Sequence, residues 1–552
     1  MKQNLVSKNS KLYIVLLFGI SVLLQFLFAN YFPKTMNCYP DELLYLSTAE
    51  GLWNHGEVLL FHMPSSFDKI GYPLVIAPIF AINNLKFRGV LLSVINSTLI
   101  SLGVFPIYGL SKRLLKDAKL QYLSVVLYMI SPTMTYAMTY MSEVVYVPLA
   151  LTMIYLLCVI FETNQGKKRL GLEGILGLLF VAAYITKPQA LAFPLALVML
   201  WIVEALGSKK RKKQIIAVAV CIVGVLAAYV FLKVGIRHTN FSIVKDRLGY
   251  IVYGMGFYIA IALIGCCILP WLVPMVECGR LNRTGKRMLQ FLGLFTVITA
   301  ATVSVVIYAT EDYPNLLLRA HLRYVEYVFV PLVILLFQVM ENQRDEKTHR
   351  LRKWAVALGA TGIFLFVFFR GFLGQTIDQT MLFYWQLLAK GGQVIPLYRV
   401  RIMLTLLMVV CVILICLWEK KRRIFRTTMV ALLMLCCLGN TVLSVYVQYK
   451  THSHTQAEFA EIQEMREFVD GNLQERFLVL EPETYNEMID TYLLDCENVR
   501  TGLKPVMTQK KEQFIAPKDV TFYIAQKGDG RLPDNVRTVK EFPTLGYVIY
   551  ED

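Results

Sequence analysis

Charge is scarce in this chain. Only 17% of its 552 residues are Asp, Glu, Lys or Arg, against about 25% in an ordinary soluble domain. Acids are scarcest, with 20 Asp and Glu against 45 Lys and Arg over residues 1–450. A large soluble fold needs a charged surface that this sequence does not supply. Metal-type cysteine spacing is also missing. The 11 cysteines include no Cys-x-x-Cys pair, and most lie inside apolar runs such as "GCCILP" (265–270) and "LLMLCCLGN" (432–440), where a thiol packs as a small apolar group. Only Cys38 and Cys496 are placed on the outer side of the membrane, and a disulfide between them is not expected. The 7 histidines show no diagnostic ligand spacing. There is no clear internal repeat of the kind that marks many transporters.

What the sequence does have is apolar length. Apolar residues make up 56% of it. Runs of roughly 18 to 25 residues recur along most of the chain, each long enough to cross a bilayer core of about 30 Å as a helix. The first, from Leu12 to about Tyr31, is too long for a signal-peptide core and no small-residue cleavage site follows it, so it reads as a retained helix. The expected fold class is an all-α polytopic membrane protein. Its spans are placed near 12–32, 87–110, 120–140, 143–161, 170–186, 188–206, 214–234, 250–276, 289–309, 324–341, 354–372, 400–418 and 427–447, about thirteen in all.

The net charge of +17 is not a nucleic-acid signature. Residues 451–552 are acidic, with 11 Lys and Arg against 19 Asp and Glu. The remaining basic residues cluster in short segments between apolar runs: "SKRLLKDAK" (111–119), "KKR" (167–169), "KKRKK" (209–213), "RLNRTGKR" (280–287), "RDEKTHRLRK" (344–353) and "EKKRRIFR" (419–426). That is the positive-inside pattern. With Lys2, Lys8 and Lys11 holding the N-terminus in the cytoplasm and about thirteen spans, every cluster falls on the cytoplasmic side. The expected localisation is a multi-pass cell-membrane protein with residues 448–552 extracytoplasmic.

The outer face then holds loops 33–86, 235–249, 310–323 and 373–399 and the tail. Its rim carries Asp41, Glu42, Asp68, Lys69, Glu143, Lys187, Glu311, Asp312, Arg319 and Arg323. It also holds His55, His62, His238, His321, His452 and His454, with only His349 inside. Single rim charges are ordinarily solvated or snorkelling, but charges at membrane depth are costly and usually functional. The set suggests a site open to the outside.

The first outer loop is the most informative. In "NCYPDELLYLSTAEGLW" (37–53), Pro40 suits a helix start and Asp41 and Glu42 fall in its first turn, where the helix dipole favours negative charge. Capping accounts for one acid and not for two. "FDKIGYPLVIAPIFAI" (67–82) is apolar but short and Pro-broken, as an interfacial or re-entrant helix would be.

These stretches carry a resemblance. "PDELLY" (40–45), with Ala49 four residues on, resembles the first-loop motif of the integral-membrane GT-C glycosyltransferases, which include the protein O-mannosyltransferases and the lipid A aminoarabinose transferases. "FDKIGYPL" (67–74) resembles the F-E-K-P segment of the aminoarabinose transferases, with Ile70 where that segment has Pro. "RYVEYVFVPL" (323–332) is similar to the R-Y…P motif opening a late helix. "SEVVYVPLAL" (142–151) and "YITKPQALAFPL" (184–195) resemble mid-bundle stretches. The resemblance implies a GT-C-like bundle over 1–447 and a sugar donor carried on polyprenyl phosphate, with a glycan, lipid or protein as acceptor and no nucleic acid. It implies that Lys69 holds the lipid phosphate.

The residues suit that chemistry. Phosphate is a good leaving group and needs cations rather than a general acid, a role for Lys69, Arg323 and more weakly Arg319. The acceptor needs a base, and Asp41 is best placed. Displacement at the anomeric carbon inverts it. Glu42 would orient Asp41, bind acceptor or help hold a metal. Tyr45, Asp68, His55, His62, Glu143, Lys187, His238 and Tyr324 are further candidates for substrate or metal contacts, and a divalent cation stays an open possibility. The donor class is a hexosyl or pentosyl unit. The alternatives are a polysaccharide polymerase or ligase, or a flippase for lipid-linked sugars.

Residues 448–552 read as a small α/β domain. "HTQAEFAEIQEMREFVDGNL" (454–473) is an amphipathic helix, "RFLVLEP", "VTFYIAQ" and "LGYVIYED" are strands, and "TYNEMIDTYLL" (484–494) is a helix between the first two. No phosphate loop or nucleophile motif is present, and docking or acceptor guidance is the expected role.

Overall fold

The computed structural model describes the chain except for residues 1, 32–39, 61–62, 66, 68, 83, 164–165, 207–247, 311–321, 343–349, 371–396, 421, 455, 481–492, 494–495, 497, 502–519, 531 and 534. The expected span at 214–234, most of the helix at 484–494, and the candidates His62, Asp68, His238 and Arg319 lie outside the described residues. Contacts divide the chain into two compact units. Residues 1–24, 98–136 and 145–445 form the first; residues 25–97, 137–144 and 446–552 form the second.

The chain runs α1 (Lys2–Tyr31), α2 (Pro40–Asn54), β1 (Leu59–Leu60), β2 (Met63–Pro64), α3 (Gly71–Ile76), α4 (Leu85–Ser101), α5 (Val104–Leu114), α6 (Ala118–Met129) and α7 (Glu143–Glu162). It continues through α8 (Lys167–Thr186), α9 (Ala192–Leu206), α10 (Leu248–Gly265), α11 (Leu269–Val276), α12 (Arg283–Thr310), α13 (Phe329–Glu341), α14 (Arg350–Arg370), α15 (Leu397–Lys420) and α16 (Arg422–His454). The tail is α17 (Gln456–Gly471) and strands β3 (Phe477–Leu480), β4 (Val499–Thr501), β5 (Phe522–Gln526), β6 (Arg537–Phe542) and β7 (Tyr547–Glu551). Among the described residues, eight helical segments are long and apolar enough to cross a membrane. The molecule is an all-α polytopic membrane protein with a small α/β C-terminal domain.

The first unit is built around α13. Every residue from Phe329 to Met340 is buried, as a helix apolar all round must be, and α13 packs against α5, α6 and α11. Several expected spans are interrupted rather than continuous. The run at 120–140 is α6 followed by a 3₁₀ segment, Pro132–Met138, because Pro132 disfavours helix at the residue before it. The run at 250–276 breaks at Cys267 and Ile268, two non-glycine residues at φ 58° and 54°. The run at 324–341 opens as two 3₁₀ turns, Leu322–Tyr324 and Glu326–Val328.

The basic clusters meet by contact within this unit. Arg426 pairs with Asp117 at 2.8 Å, Glu341 accepts from the backbone N–H groups of Lys116 and Asp117, and Asn342 donates to the Arg280 carbonyl. Arg113 pairs with Glu162, and Arg287 grips Glu204 through two bonds of 2.6 and 2.8 Å. Residues of the 111–119, 280–287 and 419–426 clusters are thus tied together through each other and through Glu341 and Asn342. The Arg426 guanidinium holds the Asp117 carboxyl below the usual carboxylate range.

In the second unit, α2 packs on α3, on the 3₁₀ turn Ala77–Ala81 and on β1. Gly51 allows this, since a Cβ there would come 2.8 Å from the Leu59 Cβ. The β1–β2 ribbon is antiparallel. The tail forms a five-stranded sheet in the order β4-β3-β5-β7-β6, with β3 parallel to β4 and β5, and β7 antiparallel to β5 and β6. Ile462, Met465 and Val469 of α17 cover one face over Phe477, Val479 and Ile524. Leu478, Leu480, Tyr523 and Val548 form a second cluster on the other face with Leu532 and Val536. Burial on both faces explains the uninterrupted apolar strands "FLVL" and "YVIY".

Candidate active site

The acidic pair opens α2, both members in its first turn. Their environments differ. Glu42 is fully buried, and its Oε1 accepts the Tyr140 backbone N–H at 2.9 Å. Asp41 is half-buried. Successive residues on a helix point about 100° apart, so two adjacent acids cannot share one surroundings. Glu42 is the carboxylate that fastens α2 to segment 137–144, and Asp41 is the one with access to solvent.

Tyr45, one turn beyond Asp41 and Glu42, organises the group. Its hydroxyl donates to Ser142 Oγ at 2.9 Å, and Ser142 lies 3.4 Å from a Glu143 carboxylate oxygen. Its ring meets Phe67 and Tyr72 edge-on, with centroids 5.6 Å away in both cases. Phe67 in turn has the Lys69 ammonium 5.9 Å from its ring centroid. The structure therefore brings the Asp41 helix and the Lys69 segment together through a tyrosine. Tyr72 donates to Asn96 Oδ1 at 3.0 Å, and Asn96 donates to the Thr139 carbonyl at 2.9 Å. Burial pushes the Tyr72 phenol well above its ordinary range, the bond to Asn96 opposes that rise, and the nearby Tyr140 and Glu42 add to it. Tyr72 consequently stays a protonated donor. His55 is exposed at the far end of α2, away from the acidic turn, and Glu143 is buried at the first residue of α7.

A cationic group forms within the first unit. Lys187 stands between α8 and the 3₁₀ turn Pro188–Leu191, extended at φ −156°, ψ 110°. Pro188 requires that extension of the residue before it. Lys187 is buried at 7% exposure. Its Nζ lies 5.2 Å from the Tyr324 ring centroid and 6.0 Å from that of Tyr146. The Arg323 guanidinium lies 5.2 Å from the same Tyr324 ring, and its Nη2 donates to the Tyr324 hydroxyl at 3.3 Å. The Tyr146 and Tyr327 hydroxyls are 3.3 Å apart. Tyr324 also lines a small cleft with Tyr258, Ile261, Thr299, Ala300, Val303 and Val325. A buried ammonium ringed by tyrosines costs free energy unless an anion or ring faces meet it.

Sequence reasoning did not single out Ser142, Asn96, Tyr72, Tyr146 or Tyr327. Hydroxyls and amides inside an apolar run give no periodic signal; only their polarity at membrane depth marks them. Among the described residues, no group of three or more His, Cys, Asp and Glu side chains is placed to hold a metal ion.

Together, the helical bundle, the short helices of 40–81 and the small mixed sheet have the fold of a solved membrane-protein structure, ArnT. ArnT from Cupriavidus metallidurans, solved bound to undecaprenyl phosphate, matches at a TM-score of 0.56 and 11% identity, over 98% of this chain and 97% of that one. Its apo structure matches at 0.56 and 11%, over 98% of each chain. An Archaeoglobus fulgidus oligosaccharyltransferase, solved with Zn and sulfate, gives a TM-score of 0.35 at 11% identity, over 92% of this chain and 68% of that one; that score is too low to compare folds. No family model matches the chain, and no curated protein matches it.

Proposed function

We propose that this chain is a glycosyltransferase that moves a sugar from a polyprenyl-phosphate donor to an acceptor at the extracytoplasmic face of the membrane. The observation that carries the reading is the Tyr45 junction, which packs the helix of Asp41 and Glu42 against the Lys69 segment. The fold shared with ArnT, and the undecaprenyl phosphate bound in that protein, support the donor class. The positive-inside charge pattern of the sequence supports a cytoplasmic N-terminus and an extracytoplasmic tail.

In this reading Asp41 takes the proton from the acceptor hydroxyl or amine as that atom attacks the anomeric carbon. The bond from that carbon to the phosphate oxygen breaks, polyprenyl phosphate leaves with the electron pair, and the anomeric configuration inverts. The accessible carboxylate suits the base, because a base must reach the proton it removes. Glu42, buried and hydrogen-bonded, holds the first turn of α2 in place. Each unit by itself carries a cation of the kind a phosphate needs, Lys69 in the second and the Lys187–Arg323 group in the first. Tyr45 and Tyr72 set the Lys69 segment. A divalent cation would draw on Asp41 and Glu42, but the described residues offer no third ligand and no step is routed through one.

The test is purification in detergent with a panel of polyprenyl-phosphate hexoses and pentoses, scored for donor consumption. The reading requires that at least one donor be consumed and that Asp41→Asn abolish its consumption with folding intact. Consumption by Asp41→Asn at the wild-type rate would remove Asp41 as base. Transbilayer movement of donor without cleavage would favour a flippase.

A further inference from the structure

Glu326 is a buried acid that the mechanism above does not use. It lies in the 3₁₀ turn Glu326–Val328 and is 5% exposed, flanked in sequence by Tyr324, Val325, Tyr327, Val328 and Phe329. A carboxyl at membrane depth is expensive, and is retained where it does something. Its Oε1 accepts the Thr133 hydroxyl at 2.5 Å. Thr133, itself 4% exposed, belongs to the second irregular segment of the bundle, Pro132–Met138.

That segment is itself tied down. Thr135 shares a hydrogen bond of 3.0 Å with Ser444 of α16, and Thr441 donates to the Ile130 carbonyl at 2.8 Å. Non-helical backbone in a membrane bundle persists only where side chains satisfy and hold it. The Glu326–Thr133 bond therefore fastens the turn after Tyr324 to a fixed platform. On its other neighbour, Tyr327 meets Tyr146 of α7, with ring centroids 5.5 Å apart. Only Val325 separates Glu326 from Tyr324, whose ring stands 5.2 Å from the Lys187 ammonium and beside the Arg323 guanidinium.

We propose that Glu326, through Thr133, is a positioning residue that sets Tyr324 and Arg323 against Lys187 for binding an anionic phosphate headgroup. The inference rests on the reading of Lys187 and Arg323 as phosphate-binding cations. Glu326 does not touch the headgroup. Its carboxyl holds the 322–328 turn at the register that puts the two cations on one tyrosine ring.

The experiment uses the full chain in detergent and two probes, undecaprenyl phosphate and uncharged undecaprenol. The ratio of their affinities reads the headgroup term alone, since general loosening of the bundle would weaken both. Wild type is expected to prefer the phosphate. Glu326→Leu and Thr133→Val each lower that preference roughly tenfold or more, the scale of about 1.4 kcal/mol, while Glu326→Gln, which still accepts from Thr133, stays within about threefold. Thermal melting accompanies each variant; Thr133→Val, the smaller change, carries the test where Glu326→Leu fails to fold. An unchanged preference in Thr133→Val overturns the proposal, and so does an equal loss in Glu326→Gln and Glu326→Leu. If wild type shows no phosphate preference, the reading of the cationic group fails first, and this inference with it.

Discussion

The two carboxylates that open α2 should respond oppositely to the same change of chemistry. Glu42 is fully buried and accepts the Tyr140 N–H at 2.9 Å. Glu42→Gln turns a charge-assisted bond into a neutral one and sets an amide where a carboxylate was shaped to fit. The expected cost is about 1–2 kcal/mol of stability. Asp41 is half-buried in the first turn. Asp41→Asn forfeits its helix-dipole contribution, about 0.3–1 kcal/mol at a partly exposed position, and keeps a side chain of the same size and shape. As the base, it should lose roughly 10²–10⁴-fold in rate. The assay pairs donor consumption with thermal melting of both variants in one detergent. The prediction is a crossed result: Asp41→Asn folded and inactive, Glu42→Gln less stable and retaining more activity than Asp41→Asn. If instead Glu42→Gln is the inactive, fully stable one, the roles assigned from burial are reversed.

Other outcomes follow from single contacts. Tyr45→Phe should lower stability by about 0.5–1.5 kcal/mol, because it strips the buried bond to Ser142 and leaves ring packing intact; melting in detergent checks it. Gly103→Ala should cost about 1–3 kcal/mol, because a Cβ would overlap the Tyr128 hydroxyl, which is committed to the Ile100 carbonyl at 2.6 Å; the readout is again the melting temperature. In the tail, burial raises the Glu461 carboxyl, but hydrogen bonds from the Thr544 hydroxyl and from the Thr544 and Leu545 N–H groups outweigh it and hold it below its ordinary range. A depressed carboxylate contributes stability that is present above the unfolded value of about 4.3 and lost as pH falls through the folded one. Hydrogen exchange at Thr544 and Leu545 should therefore accelerate on acidification below pH of about 4.3, and Glu461→Gln should flatten that dependence.

How far the sequence foretold the fold depends on what each element is made of. Length and apolarity were enough for α1, α7, α8 and α12, since a long uninterrupted run has few alternatives in lipid. The breaks inside other runs were less visible. Pro132 hinted at one; nothing in Cys-Cys-Ile announced two positive-φ residues at Cys267 and Ile268, because hydropathy averages over a window and φ is set by packing. In the tail, β3, β5 and β7 are central and apolar and could be read directly. Strand β6, "RTVKEF", is a largely exposed edge strand of charged composition, and β4 has three residues. Neither carries the alternation or apolar run by which strands are recognised.

The site divides along a similar line, between residues that stand out by charge and residues that act through geometry. Asp41, Glu42, Lys69, Lys187 and Arg323 stood out as candidates because ionisable groups beside membrane spans are few. What sequence could not supply was which acid is buried and which is accessible, because that depends on segment 137–144 reaching α2 from nearly a hundred residues away. Glu326 is the instructive intermediate. An acid inside "YVEYVFVPLVILLF" is a signal of the same kind as Lys187, and a span prediction tolerates it because one charge hardly lowers the mean of its window. The hydrogen bond to Thr133 is what turns the neglected acid into a part with a job: a membrane bundle with irregular turns at 132–138 and 322–328 needs polar side chains to fix one turn against the other, and here a single carboxyl joins them.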